Sequence, residues 1–145
     1  MHADTQQELL ELTERLLTSI AGGDWETYQS LCNASLTAFE PEARGQLVEG
    51  IGFHRYYFEL GKATSAGTKP ASDKPANSKP ANHVTICSPH VRLLGEDAAV
   101  ISYVRLVQYV DAAGAAQTSK CEETRVWQRL SGRWQHVHFH RSTNA

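Results

Sequence analysis

Cysteine is scarce in this chain. There are three in 145 residues, Cys32, Cys87 and Cys121, with no CxxC spacing. An odd, scattered set is neither a disulfide framework nor a zinc ribbon, and it reads as reduced thiols packed in the core of a cytoplasmic protein. An excess of one charge is also missing. Fourteen Lys and Arg face 16 Asp and Glu, for a net charge of −2, which excludes the strong basic excess of a general nucleic-acid binder. No apolar run approaches the roughly 20 residues of a membrane span. The start "MHADTQQELLEL" is acidic and polar, so no secretory leader is expected. Catalytic signatures are thin. The chain has no P-loop, dinucleotide glycine fingerprint, GxSxG, HExxH or kinase glycine loop, and no cofactor or metal is expected.

What is present suits one globular domain over 1–145, with 41% hydrophobic and 21% charged residues. "DTQQELLELTERLLTSIAGG" carries Leu9, Leu12, Leu16 and Ile20 at helical spacing. Thr5 with Glu8 predicts a capping box, and Gly22-Gly23 a left-handed stop. Asp24 then caps a shorter helix, "DWETYQSLC", burying Trp25, Tyr28 and Leu31 and broken at Asn33 to Ser35. "LTAFEP" reads as a short extended piece. "QLVEGIGFHRYYFEL" predicts a third helix, firm from Ile51, with His54 and Phe58 on one face and Phe53, Tyr57 and Leu60 on its neighbour. Residues 61–82 repeat a Lys-Pro-Ala unit at Lys69, Lys74 and Lys79. Such small, polar, proline-rich text buries too little to order itself and predicts a flexible loop between helix and sheet.

The second half is β. "HVTICSPHVRLL" is extended, with Pro89 marking an edge or a bulge. "AAVISYVRLVQYVD", "QTSKCEETRVWQRL" and "WQHVHFHRS" follow, joined by "AAGA" and a tight "SGR" turn. Helices first and a four-stranded antiparallel sheet after is an α+β order. A long sheet curls, and a helix on its concave side makes a cone with a pocket.

Strand alternation groups Ile101, Tyr103, Arg105 and Val107, then Glu123, Arg125, Trp127 and Arg129, then Gln135, Val137, Phe139 and Arg141. Trp134, His136, His138 and His140 fall on the opposite, outward face, as an assembly or solvent surface. Arg105, Arg125 and Arg141 thus sit in rows with apolar neighbours. If those rows face one cavity, the guanidiniums need anionic company, because an unpaired buried charge is expensive. Glu123, Glu59, a bound small acid or an acidic peptide would serve; the bland alternative is ordinary surface salt bridges. Three histidines along one straight strand spread over about 13 Å, too far for one metal ion without a bend or a contribution from elsewhere, such as His90. A general-base role for His54, or for Glu59 with Tyr57, is chemically available in such a pocket.

"GDWETY", "LTAFEPEARGQLVEG", "FHRYYFE", "YVRLVQYVD" and "EETRVWQRLSGRWQHVHFHRS" closely resemble the association (hub) domain of calcium/calmodulin-dependent protein kinase II, from about Thr5 to Ser142 apart from the 61–82 insert. The resemblance implies an NTF2-like (cystatin-like) cone: a long N-terminal helix packed in a strongly curved antiparallel sheet. It implies no catalysis by this domain, although a full-length relative would be a protein serine/threonine kinase. It implies a closed double-ring homo-oligomer, a dodecamer, tetradecamer or larger. It also implies a pocket lined by His54, Arg105, Arg125 and Arg141 that takes small carboxylates or a kinase regulatory or linker peptide. The residue reading adds Tyr57 and Glu123 to that pocket. No nucleic-acid or membrane partner is expected. The chain departs from the family in the longer insert, in Phe58-Glu59-Leu60 where the family has Phe-Glu-Asn, and in the additional His136. The alternative is a freestanding NTF2-like pocket protein or an enzyme of the isomerase or dehydratase type, since one fold hosts many functions.

Overall fold

In the computed structural model, which describes residues 2–67 and 82–143, the first helical text forms α1 (His2–Gly22). The helix begins ahead of the expected Thr5 cap; Asp4 places an acidic group in the first turn, where the helix dipole favours it. Its buried stripe holds Leu9, Leu16 and Leu17 together with Thr13 and Ser19. These polar members escape an apolar periodicity because their hydroxyls are satisfied locally. Thr13 donates to the Leu9 carbonyl at 2.8 Å and Ser19 to that of Leu16 at 2.6 Å. Gly23 at φ +68° ends the helix. The Asp24 carboxylate accepts the Thr27 N–H at 3.2 Å and caps α2 (Trp25–Leu31).

The expected break at Asn33 to Ser35 lies inside a strand, β1 (Cys32–Phe39). The Asn33 side chain accepts the Ser35 N–H at 2.8 Å, a local turn that displaces the pairing register between Cys32 and Thr37. A 3-10 turn at Pro41–Ala43 follows, closed by Arg44 in the left-handed region at φ +56°. β2 (Val48–Glu49) then pairs with β1. α3 (Gly52–Gly67) runs seven residues into the stretch read as loop. Residues 68–81, with Lys69, Lys74 and Lys79, lie outside the described residues.

β3 (His83–Leu93), β4 (Ala98–Val110), β5 (Ala116–Leu130) and β6 (Arg133–Arg141) complete a curved sheet ordered β2-β1-β6-β5-β4-β3. The four expected strands are antiparallel neighbours. The sheet has six strands, however, and is mixed, because β1 runs parallel to β6. Pro89 sits on the edge strand β3, where the register slips between Cys87 and His90. The β5–β6 connection places Ser131 and Gly132 at φ +53° and +76°, the paired positive angles of a tight hairpin turn.

One irregularity decides which side chains reach the interior. Trp127 pairs with His136 but Val126 pairs with His138, so Val137 is an extra residue on β6. Trp134 and His136 point inward before this bulge, Phe139 and Arg141 after it, and the first three are buried. The uniform outward set expected from alternation is therefore split: only His138 and His140 remain on the outer face. α1 lies against the inner face, where the Trp127 indole donates to Thr13 Oγ1 at 3.1 Å. Trp127, Leu9, Leu16, Tyr28, Leu36 and Ile101 form the centre of the core. Truncating a side chain as large and buried as Trp127 costs about 3–5 kcal/mol.

Candidate functional site

α3 closes the open end of the inner face through aromatic contacts. The His54 ring lies 5.8 Å from Tyr28 and 5.5 Å from Phe139, and Phe58 lies 5.0 Å from Tyr28. Beneath it is a cleft of about 100 Å³ lined by His54, Tyr57, Arg105, Arg125 and Arg141, with Glu40 and Glu42 on the facing segment. The sequence-predicted His54 and three arginines thus meet at one place. Tyr57 stands at the rim, 42% exposed. Glu123 lies behind the arginines rather than on the cleft wall.

Its carboxylate is the hub of a buried network. Glu123 Oε1 accepts from the Tyr103 hydroxyl at 2.5 Å and from Arg125 at 3.1 Å, and Oε2 accepts from Arg105 at 3.1 Å. Burial alone would raise its pKa; the charges of Arg125 and Arg105 and the Tyr103 hydrogen bond outweigh that and bring it to about 2. The Arg125 side chain is 1% exposed. Beyond Glu123 it donates to the Tyr103 hydroxyl at 2.8 Å, approaches His136 Nε2 at 3.3 Å, and stacks over Phe139 at 4.4 Å. Because a guanidinium only donates, His136 accepts at Nε2, and Nδ1 carries the proton toward Cys32 Sγ, 3.5 Å away. Burial, and next the Arg125 charge, hold His136 well below the ordinary imidazole range. Burial likewise pushes the Cys32 thiol up to about 12. His136 is thus a neutral core residue, and it cannot share a metal ion with His138 on the other face.

The other arginines differ in what they leave free. Arg105 is 7% exposed, and its buried Nε has no hydrogen-bond partner among the described residues. Arg141 pairs with Glu42, and burial of the Glu42 carboxyl is outweighed by that hydrogen bond and charge, so its pKa falls. His54 Nε2 lies 3.1 Å from Glu40 Oε1, but off the line of a hydrogen bond, and neither ring nitrogen has a partner among the described residues. Glu59, weighed as an arginine partner, instead pairs with Arg55 on the surface at 2.9 Å.

Residue-type reasoning did not find Glu40, Glu42, Tyr103 or His136. The first two flank Pro41 in "FEPE", where paired acids beside a turn-forming proline were a readable signal for a counter-ion segment.

A family model described as the calcium/calmodulin dependent protein kinase II association domain matches residues 5–145. The chain is 51% identical over 137 residues to the delta subunit of calcium/calmodulin-dependent protein kinase type II of Oryctolagus cuniculus, covering 94% of this chain and 23% of that protein. It is similar to the association domain of C. elegans CaMKII, with TM-score 0.80, 42% identity and 97% of each chain covered. The CaMKII hub homology domain of Chlamydomonas reinhardtii gives TM-score 0.77 and 48% identity, with 95% and 96% of the two chains covered.

Proposed function

Starting from a chain that belongs to the calcium/calmodulin-dependent protein kinase II association domain family, we propose that it joins copies of itself into a closed double ring without catalysing a reaction. The family match over nearly the whole chain carries this reading. The sheet supplies a surface for it. On the outer face Val100 stands opposite Val126, Val104 opposite Cys87 and Leu106 opposite Thr85, all only half-buried. An apolar sheet face that its own chain leaves partly open is suited to cover by a second copy, and repeated identical contacts close into rings when their rotation does. In a longer kinase such a ring would gather kinase domains.

The arginine cleft adds a ligand site, for a small carboxylate or an acidic peptide segment. The support is the buried Arg105 Nε and the His54 ring nitrogens, which have no hydrogen-bond partner among the described residues. A planar guanidinium fork matches a carboxylate.

The surface assignment is tested by sedimentation velocity on wild type and Val126→Lys. A charge on the outer face should yield smaller assemblies while the melting transition is kept. A variant that sediments like wild type would refute the role of this face.

A further inference from the structure

Three guanidiniums line the cleft wall, yet the same region holds three carboxylates: Glu123, Glu42 and Glu40. Three acids against three guanidiniums mean that an incoming carboxylate competes with an internal one for part of the site. Their exposures choose which. The side chains of Glu123 and Glu40 are 0% and 7% exposed, whereas that of Glu42 is 41% exposed. Glu42 also sits on the short 3-10 turn Pro41–Ala43, not within the sheet.

Glu42, Arg105 and Arg141 are shared by two cavities. One is the cleft under α3, about 100 Å³. The other, about 440 Å³, lies along the sheet past the same three residues and is lined by Val107, Tyr109, Ser119 and Cys121. Cys121 is 5% exposed, and burial raises its pKa above the ordinary thiol range, so it acts there as apolar wall.

We infer that Glu42 is a tethered internal ligand of the arginine site. It yields to an elongated monocarboxylate, whose head takes Arg141 and the free Arg105 Nε and whose apolar body lies along Val107, Tyr109 and Cys121. The inference rests on the arginine cleft being a carboxylate site and adds the competitor and the shape of the acid. A carboxylate head alone exploits the small cleft. A chain of several carbons gains the larger cavity, at about fourfold in affinity for each methylene removed from water.

Calorimetric titration of the intact chain at pH 7 with acetate and with hexanoate tests this. Hexanoate should bind at least tenfold tighter than acetate. Glu42→Gln, which keeps an acceptor for Arg141 but removes the competing charge, should bind both acids roughly two- to fivefold tighter, the worth of a half-exposed ion pair. Val107→Trp, which fills the larger cavity, should erase the advantage of hexanoate over acetate. Acetate binding with no gain for hexanoate and none in Glu42→Gln would overturn the internal-ligand inference while leaving the arginine site standing. No binding of either acid to either protein would overturn the site itself, and the inference with it.

Discussion

A guanidinium stripped of water and left without a counter-charge destabilises a fold by several kcal/mol, and Arg125 is spared that by Glu123, Tyr103 and His136. The same network makes the protein sensitive to acid at two places. Below its ordinary value of 6.5, His136 takes up a proton in the unfolded chain that burial and Arg125 deny it in the folded one. His138 is lowered in the same direction, by burial first. Unfolding therefore binds protons, and stability falls as pH drops below 6.5. Glu123 follows lower down. Its contribution is complete above its ordinary 4.5 and is lost as pH falls toward about 2, a change of roughly 3 kcal/mol at 1.4 kcal/mol per unit. Urea unfolding free energies measured from pH 8 to 3 should be level above 7, decline below 6.5 and fall more steeply below 4.5. His136→Gln, whose amide oxygen still accepts from Arg125, should shrink the upper decline and leave the lower one. A wild-type curve level between pH 6.5 and 5 would contradict this. At this scale Arg105 and Arg125 were legible in the sequence, because each sits in an alternating row with large apolar neighbours. For Glu42 only the paired acids around Pro41 were a local signal; its partner Arg141 is 99 positions away, and nothing in the sequence ties the two.

Among the elements, β6 shows where alternation stops being a guide. Its residue types carry no mark of the bulge at Val137, so a strict two-residue period sent Trp134 and His136 outward with His138. The pairing of Trp127 with His136 and of Val126 with His138 shows otherwise. β1 was underread for a related reason: its Asn33-Ala34-Ser35 text is turn-like, and its pairing with β6 and β2 reveals it as a strand. The helix stop at Gly23, the Asp24 cap, the edge position of Pro89 and the "SGR" turn were legible because each rests on a backbone requirement specific to its residues. With Val137 in the strand, it is the bulge that lets His136 reach Arg125 and Arg141 reach Glu42 from the same side. Deleting Val137 leaves His136 and Arg141 four positions apart, so strict alternation keeps both on the inner face without the bulge. The expected result is a folded variant with a single urea transition and a loss within the ordinary range of about 0.5–3 kcal/mol for a single change. A deletion variant without a cooperative transition would contradict this reading of the bulge.

For the molecule as a whole, the two faces of the sheet have different fates. α1 and α3 cover the inner face and convert it into core and cleft, while the outer valines of β4 and β5 are left half-buried. Nothing in the order of elements distinguishes a pocket protein from an assembly module; the family match and the apolar outer face favour assembly. Native mass spectrometry of this chain at neutral pH and micromolar concentration tests that claim most directly. The expected result is one dominant species at an even multiple of the subunit mass, unchanged on tenfold dilution. A single-subunit mass at every concentration would contradict it.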